Sequence, residues 1–210
     1  MLNDENLKWL DWARKIQSIA QTGLHYSENE FDRGRYTQLM QLSAEIVSTY
    51  SDHRYEHLLA TFLSQKGYAT PKVDVRAAVF ENDKILMVRE MSDGCWAMPG
   101  GWADIGDIPS VSAEREAWEE AGFRVKATRV IGVYDANRDG ARPVELFHAV
   151  KLMYLCDLIG GEATISHETT AVGFFGLNEI PPLSAMRTSP RMINDAFAAH
   201  YDFSRPTVYD

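Results

Sequence analysis

Residues 101–123 read Gly-Trp-Ala-Asp-Ile-Gly-Asp-Ile-Pro-Ser-Val-Ser-Ala-Glu-Arg-Glu-Ala-Trp-Glu-Glu-Ala-Gly-Phe. No glycine or proline interrupts 111–121, Ser110 or Ser112 offers an N-cap, and Gly122 supplies a stop, so the pattern predicts a short helix. At about 100° per residue, Glu120 stands about 40° from Glu116 and Glu119 about 60° to the other side. Three carboxylates therefore share one arc. Ala113, Ala117 and Ala121 form a neighbouring stripe of small residues, which lets the helix lie close on a sheet with the acids at its edge. Like charges at this spacing repel on a bare helix. A solvated acidic face is the plain reading of such a run. The chemical reading is a divalent cation with hard oxygen preference, Mg²⁺ or Mn²⁺, which removes the repulsion.

The approach to the helix favours the second reading. Trp96-Ala-Met-Pro-Gly-Gly-Trp102 leads a short apolar segment into two glycines, which allow a tight turn and close approach to a ligand. On Gly101, Arg115, Glu116, Glu119, Glu120, Gly122 and Phe123 the stretch resembles the Nudix box. Asp107 departs from it, standing where that pattern has glutamate, one methylene short. The question it raises is whether Arg115 is still reached.

A pyrophosphate demands neutralised charge, an in-line water, and a base for that water's proton. Glu116, Glu119 and Glu120 are suited to hold the cation, and the resemblance adds the main-chain carbonyl of Gly100 as a ligand. Arg115 is expected to orient the carboxylates by ion pairing. In related enzymes the base is a helix acid or a glutamate from a late loop. Glu168 in Ser166-His-Glu-Thr-Thr170 is the loop candidate, with His167 second. Arg89, at a strand end, is a candidate for a phosphate oxygen. Substrate identity is expected from the loops around Tyr134, Arg138 and Glu168. No Gly-Lys-Ser/Thr phosphate loop, His-Glu-x-x-His or Gly-x-Ser-x-Gly motif occurs in the sequence.

Before the box the chain reads as helical. Trp9, Trp12, Ala13, Ile16, Ile19 and Ala20 recur at helical steps with Gly23 as a stop. Tyr36, Leu39, Met40, Ser43, Ile46 and Val47 repeat the pattern, and Ser51 is expected to cap a third helix carrying Tyr55, Leu58, Leu59, Phe62 and Leu63 up to Gly67. The organisation expected is a three-helix domain over 1–67, a linker over 68–72, and a Nudix-type domain over 73–205. Strand patterns at 73–80, 84–89, 125–134, 146–158 and 171–175 alternate with helices, so the second domain is α/β. Residues 81–83 are the expected hairpin turn, and Ser189-Pro190 is expected to open a last helix. The resemblance implies a mixed sheet sandwiched between helices.

The segments 16–27 and 31–36 also resemble the N-terminal helical domain of a bacterial Nudix subgroup that includes CDP-choline pyrophosphatases. That resemblance implies hydrolysis of CDP-choline to CMP and phosphocholine, with ADP-ribose as the alternative substrate and a non-catalytic binding module as the alternative class. A net charge of −9 speaks against a nucleic-acid surface, so the expected partner is a small-molecule nucleotide. The small helical core and the family imply a homodimer. No apolar run long enough to span a membrane is present, and Cys95 and Cys156 lack disulfide spacing, so the expected setting is the cytoplasm.

Overall fold

A computed structural model describes residues 8–136 and 146–210. The chain divides between Pro71 and Lys72 into two compact units. The first holds α1 (Lys8–Tyr26), α2 (Glu30–Tyr50) and α3 (Tyr55–Ser64). Leu10, Ala13, Gln17 and Ala20 of α1 and Met40, Ser43, Ala44 and Val47 of α2 are buried. Trp12 and Ile19 share the apolar rhythm yet stay exposed. Gly23 does not end α1, contrary to the sequence reading. A Cβ there would lie 2.3 Å from Cε1 of Tyr36, so this glycine lets α1 and α2 approach closely. Ser51 does not cap α3 either: its hydroxyl donates to the Val47 carbonyl at 2.7 Å, closing α2, and α3 begins after Arg54.

The second unit contains β1 (Lys72–Glu81), β2 (Lys84–Glu90), β3 (Trp96–Ala97), α4 (Pro109–Ala121), β4 (Phe123–Asp135), β5 (Ala149–Gly161), β6 (Thr169–Phe175), α5 (Pro190–Tyr201) and β7 (Val208–Tyr209). The strands run in the order β3-β2-β1-β5-β4-β7, with β6 also on β2. β1 and β5 are parallel while β4 and β5 are antiparallel, so the sheet is mixed, as expected. The β1–β2 turn places Asn82 and Asp83 at φ 49° and 58°, the two-residue hairpin geometry that suits sheet twist.

Alternation along β1 and β2 separates two cores. Val75, Ala77, Val79, Leu86 and Val88 pack on Ala113, Ala117 and Ala121 of α4. Ala78, Ile85 and Met87 face the other way, onto Met192, Ile193, Ala196 and Phe197 of α5. The alanine stripe thus sets α4 close against the sheet. Ser189 caps α5, accepting from the Met192 amide at 3.2 Å, with Pro190 in the first turn. α4 starts earlier than either serine would have started it, after Ile108, because Pro109 has its φ preset for a first helical position. The last residues continue the sheet: β7 runs parallel to β4 beside Gly132 and Val133, and Asp210 accepts from the Asp135 amide at 2.7 Å. Among the described residues no helix is long and apolar enough to cross a membrane.

Candidate active site

The loop after β3 fills part of the edge of β1. The amides of Val75 and Ala77 donate to the carbonyls of Gly101 and Pro99, and the Ala103 amide to that of Val73. Gly100 sits at φ 148°, and a Cβ there would fall 2.0 Å from the Val75 carbonyl oxygen, so only glycine fits. Its amide donates to Oε2 of Glu120 at 2.9 Å. This bond brings the buried end of α4 against the glycine loop. Burial pushes the Glu120 carboxyl up to about 7; the Gly100 amide and the Arg76 guanidinium oppose that shift, while Glu90 and Glu116 add to it. A Cβ on Gly101 would stand 3.3 Å from Oε2 of Glu116, which lies just beyond the loop. Burial also raises the Glu116 carboxyl, with Arg115 working against it.

Arg115 is the hub on the open side. Its guanidinium reaches Glu119 at 2.8 Å, Glu116 at 3.1 Å and Asp107 at 3.4 Å. Asp107 therefore reaches Arg115 despite its shorter side chain, and it also accepts from the Ser112 hydroxyl at 2.9 Å. The Glu119 side chain is 53 % exposed against 13 % for Glu116, so Glu119 faces outward on Arg115 while Glu116 and Glu120 face the loop.

Opposite the helix, the sheet contributes groups that sequence reasoning missed. Arg76 is buried, gripping Asp74 with two bonds of 2.8 and 2.6 Å and donating to the Met98 carbonyl at 3.2 Å. The buried Lys151 lies 3.4 Å from the same aspartate. Glu90, at the end of β2, is 4 % exposed, and burial raises its carboxyl against the pull of Arg187 and Arg76. Its Oε1 lies 3.1 Å from Nε of Arg187, yet the geometry makes no hydrogen bond, leaving that oxygen without a hydrogen-bond partner among the described residues. A signal was present in the sequence: Asp74, Arg76 and Glu90 stand in apolar runs that form strands buried on both faces, where an unmatched charge is costly.

The remaining candidates are spread. Glu168 stands in the loop before β6, its carbonyl accepting from the Met91 amide at 2.8 Å and its carboxylate 3.1 Å from His167; its charge is felt by both Glu116 and Glu90. Arg89 spends its Nε on the Gly94 carbonyl at 2.8 Å, holding the turn before Trp96. Tyr134 is buried, with its hydroxyl 3.2 Å from Asp195 and its ring beneath Arg191. With Asp135, Lys151, Arg187 and Ser189 it lines a small cleft, partly open to solvent. The cleft adjoins the glycine loop, because the Met98 amide donates to Thr188 at 3.0 Å. Arg138 lies outside the described residues. The thiol of Cys156, pushed up to about 12 by burial, is inert at neutral pH.

Among the described residues, no three acidic, histidine or cysteine side chains already stand close enough to hold a cation. The donor set nevertheless fits one. Glu116, Glu120 and Glu90 are inward-facing carboxylates with raised affinity for protons, and one buried oxygen lacks a donor. Oxygen-only ligands suit Mg²⁺ or Mn²⁺.

Residues 70–196 match the family model described as the NUDIX domain, and residues 7–62 match one described as a UDP-X-like, N-terminal oligomerisation domain. The Bacillus subtilis (strain 168) protein YjhB, whose name provisionally assigns ADP-ribose pyrophosphatase activity, is 36 % identical over 203 residues, 97 % of each chain. The ADP-ribose pyrophosphatase of Methanocaldococcus jannaschii is 30 % identical over 56 % of this chain and 69 % of its own. Two crystal structures are similar. A UDP-X diphosphatase is 30 % identical with a TM-score of 0.62, covering 98 % of this chain and 99 % of that one. An ADP-ribose pyrophosphatase from Streptococcus suis 89-1591 is 37 % identical with a TM-score of 0.61, covering 67 % of this chain and 100 % of that one. The chain belongs to the Nudix family and is a Nudix pyrophosphohydrolase.

Proposed function

We propose that the chain splits the diphosphate of a nucleoside diphosphate linked to a second moiety, with ADP-ribose as substrate and AMP and ribose 5-phosphate as products. The observation that carries the reaction is the buried Glu120 carboxylate bonded to the Gly100 amide beside Glu116. The substrate rests on the names of relatives, three of which refer to ADP-ribose. CDP-choline, toward which the helical segment pointed, is the competitor, and none of the four relatives above is named for it.

Glu116, Glu119 and Glu120, with the Gly100 carbonyl, would hold Mg²⁺ or Mn²⁺, which would supply positive charge to the diphosphate oxygens and lower the pKa of a water. Arg115 sets the carboxylates in place. Glu168 takes the water's proton, a role supported by its charge bearing on both Glu90 and Glu116. The small cleft at Tyr134, beside Lys151 and Arg187, borders the place of the part of the substrate beyond the diphosphate. Arg89 is the candidate for a phosphate oxygen, and Tyr134 and Arg138 are candidates for substrate recognition, in keeping with the sequence. The chain works as a homodimer in the cytoplasm; the match to an oligomerisation domain and two free cysteines support this.

The test is turnover of ADP-ribose, CDP-choline, UDP-glucose and NADH by the purified chain with and without Mg²⁺. ADP-ribose is expected to give the highest kcat/KM. A higher value for CDP-choline would move the assignment to it, and no metal-dependent turnover of any of them would sink the reaction itself.

A further inference from the structure

We propose that Glu90 is a further acidic ligand of the cation site, contributed by the sheet from across the glycine loop; the inference rests on the metal-dependent reading above. Glu90 lies outside the 101–123 stretch. It ends β2, where the pairing with β6 shifts register between Arg89 and Glu90. By alternation it continues the row of Leu86 and Val88, the row on which α4 packs. On that row it falls on the face of the sheet that carries α4, while its Oε1 lies 3.1 Å from Nε of Arg187.

Two observations distinguish a ligand from a mere structural ion pair. A buried carboxylate kept for structure has its oxygens satisfied by donors, because an unmet charged acceptor in the interior is costly. Oε1 of Glu90 is buried and without such a donor among the described residues, even though Nε of Arg187 is only 3.1 Å away. Secondly, Glu90 and Glu116 both bear on the buried Glu120 as like charges. The guanidinium that bears on both Glu90 and Glu120, Arg76, has its bonds on Asp74 and the Met98 carbonyl. A hard cation between sheet and helix would meet both needs, since it would bond the carboxylate oxygen that lacks a hydrogen bond and offset the repulsion. Arg187 is then the group that holds Glu90 in the metal-free protein, with the Ser184 hydroxyl 3.2 Å from its Nη1.

The experiment is Mn²⁺ binding to the full chain, read by electron paramagnetic resonance of free Mn²⁺ and by calorimetry, for wild type, Glu120→Gln, Glu90→Gln and Arg187→Gln. Glu90→Gln is expected to weaken Mn²⁺ about tenfold or more, while Arg187→Gln, which frees the carboxylate, binds Mn²⁺ at least as tightly as wild type. Wild-type Mn²⁺ affinity in Glu90→Gln would overturn the inference, and so would an equal loss in Arg187→Gln, the mark of a structural pair. If Glu90→Gln does not fold, Glu90→Asp keeps the charge with a shorter reach. The same loss is expected of it, and unchanged affinity counts against the inference. Weak binding by the wild type, or none lost in Glu120→Gln, would instead bring down the metal reading on which this one stands.

Discussion

Glu120 accepts a hydrogen bond from the main-chain amide of Gly100 at 2.9 Å, so the last turn of α4 and the glycine loop on β1 are held as one piece. The loop in turn depends on backbone-only residues. Neighbouring glycines do different jobs in it, and that difference can be measured.

Gly100→Ala drives a Cβ to 2.0 Å from the Val75 backbone oxygen at a φ of 148°. Backbone must move, and a loss on the order of 3 kcal/mol or more is expected, or no folded protein at all. Gly101→Ala meets only the end of the Glu116 side chain at 3.3 Å. It should fold with stability within about 1 kcal/mol of wild type while losing turnover, because Glu116 is displaced. Thermal melts alongside rates on both variants decide this. Equal stability losses would mean that the second glycine is structural too.

The raised carboxyl of Glu120 gives the metal-free protein a distinctive pH dependence. A carboxyl at about 7 in the fold and near 4.5 unfolded binds more protons folded than unfolded between those values. Its contribution is complete below about pH 4.5 and is lost as pH rises through about 7. Glu116 and Glu90 are shifted the same way. Asp93 and Asp202 are lowered, and their opposite contribution lies below about pH 4, outside the window. The melting temperature without metal should fall from about pH 5 to about pH 8, and less steeply in Glu120→Gln. Mn²⁺ affinity should rise over the same range, since the ion takes the deprotonated acids. Identical slopes in the two proteins would remove Glu120 as the cause.

Arg115 holds Glu116, Glu119 and Asp107 from a partly exposed position. Pairs of this kind contribute little to stability, about 1 kcal/mol or less. Arg115→Ala should therefore melt close to wild type but need more Mg²⁺ for half-maximal rate, with kcat down by roughly tenfold. Unchanged Mg²⁺ dependence would show that Arg115 does not set the carboxylates.

Asp74 carries two buried cations, Arg76 by two bonds and Lys151 at 3.4 Å. Asp74→Asn leaves those charges without their shared anion and should cost about 3–5 kcal/mol. Adding Lys151→Met should recover part of that loss, read by urea unfolding. A double variant no more stable than the single would show that Lys151 does not depend on Asp74.

What the sequence disclosed was local. The α4 acids, the alanine stripe, the Gly122 stop, the Asn82-Asp83 turn and the Ser189-Pro190 start depend on neighbours a few residues away, and patterns of that reach survive folding. The helix start was misplaced because Pro109 outweighs a serine cap, and Gly23 misled because a glycine that ends a helix and one that admits Tyr36 look alike in sequence. Glu90, Arg76, Lys151 and Arg187 come together only when β2, β1, β5 and the segment before α5 meet, and no spacing encodes that. Arg89 shows the converse: it looks free at a strand end, yet it is bonded to Gly94.

The most direct measurement is ADP-ribose hydrolysis in Mg²⁺ by wild type and Glu120→Gln, with AMP and ribose 5-phosphate quantified and the fold checked by circular dichroism. Mg²⁺-dependent formation of both products is expected of the wild type, with a kcat at least about a hundredfold lower in the variant at an unchanged fold. Near wild-type turnover by Glu120→Gln would contradict that expectation.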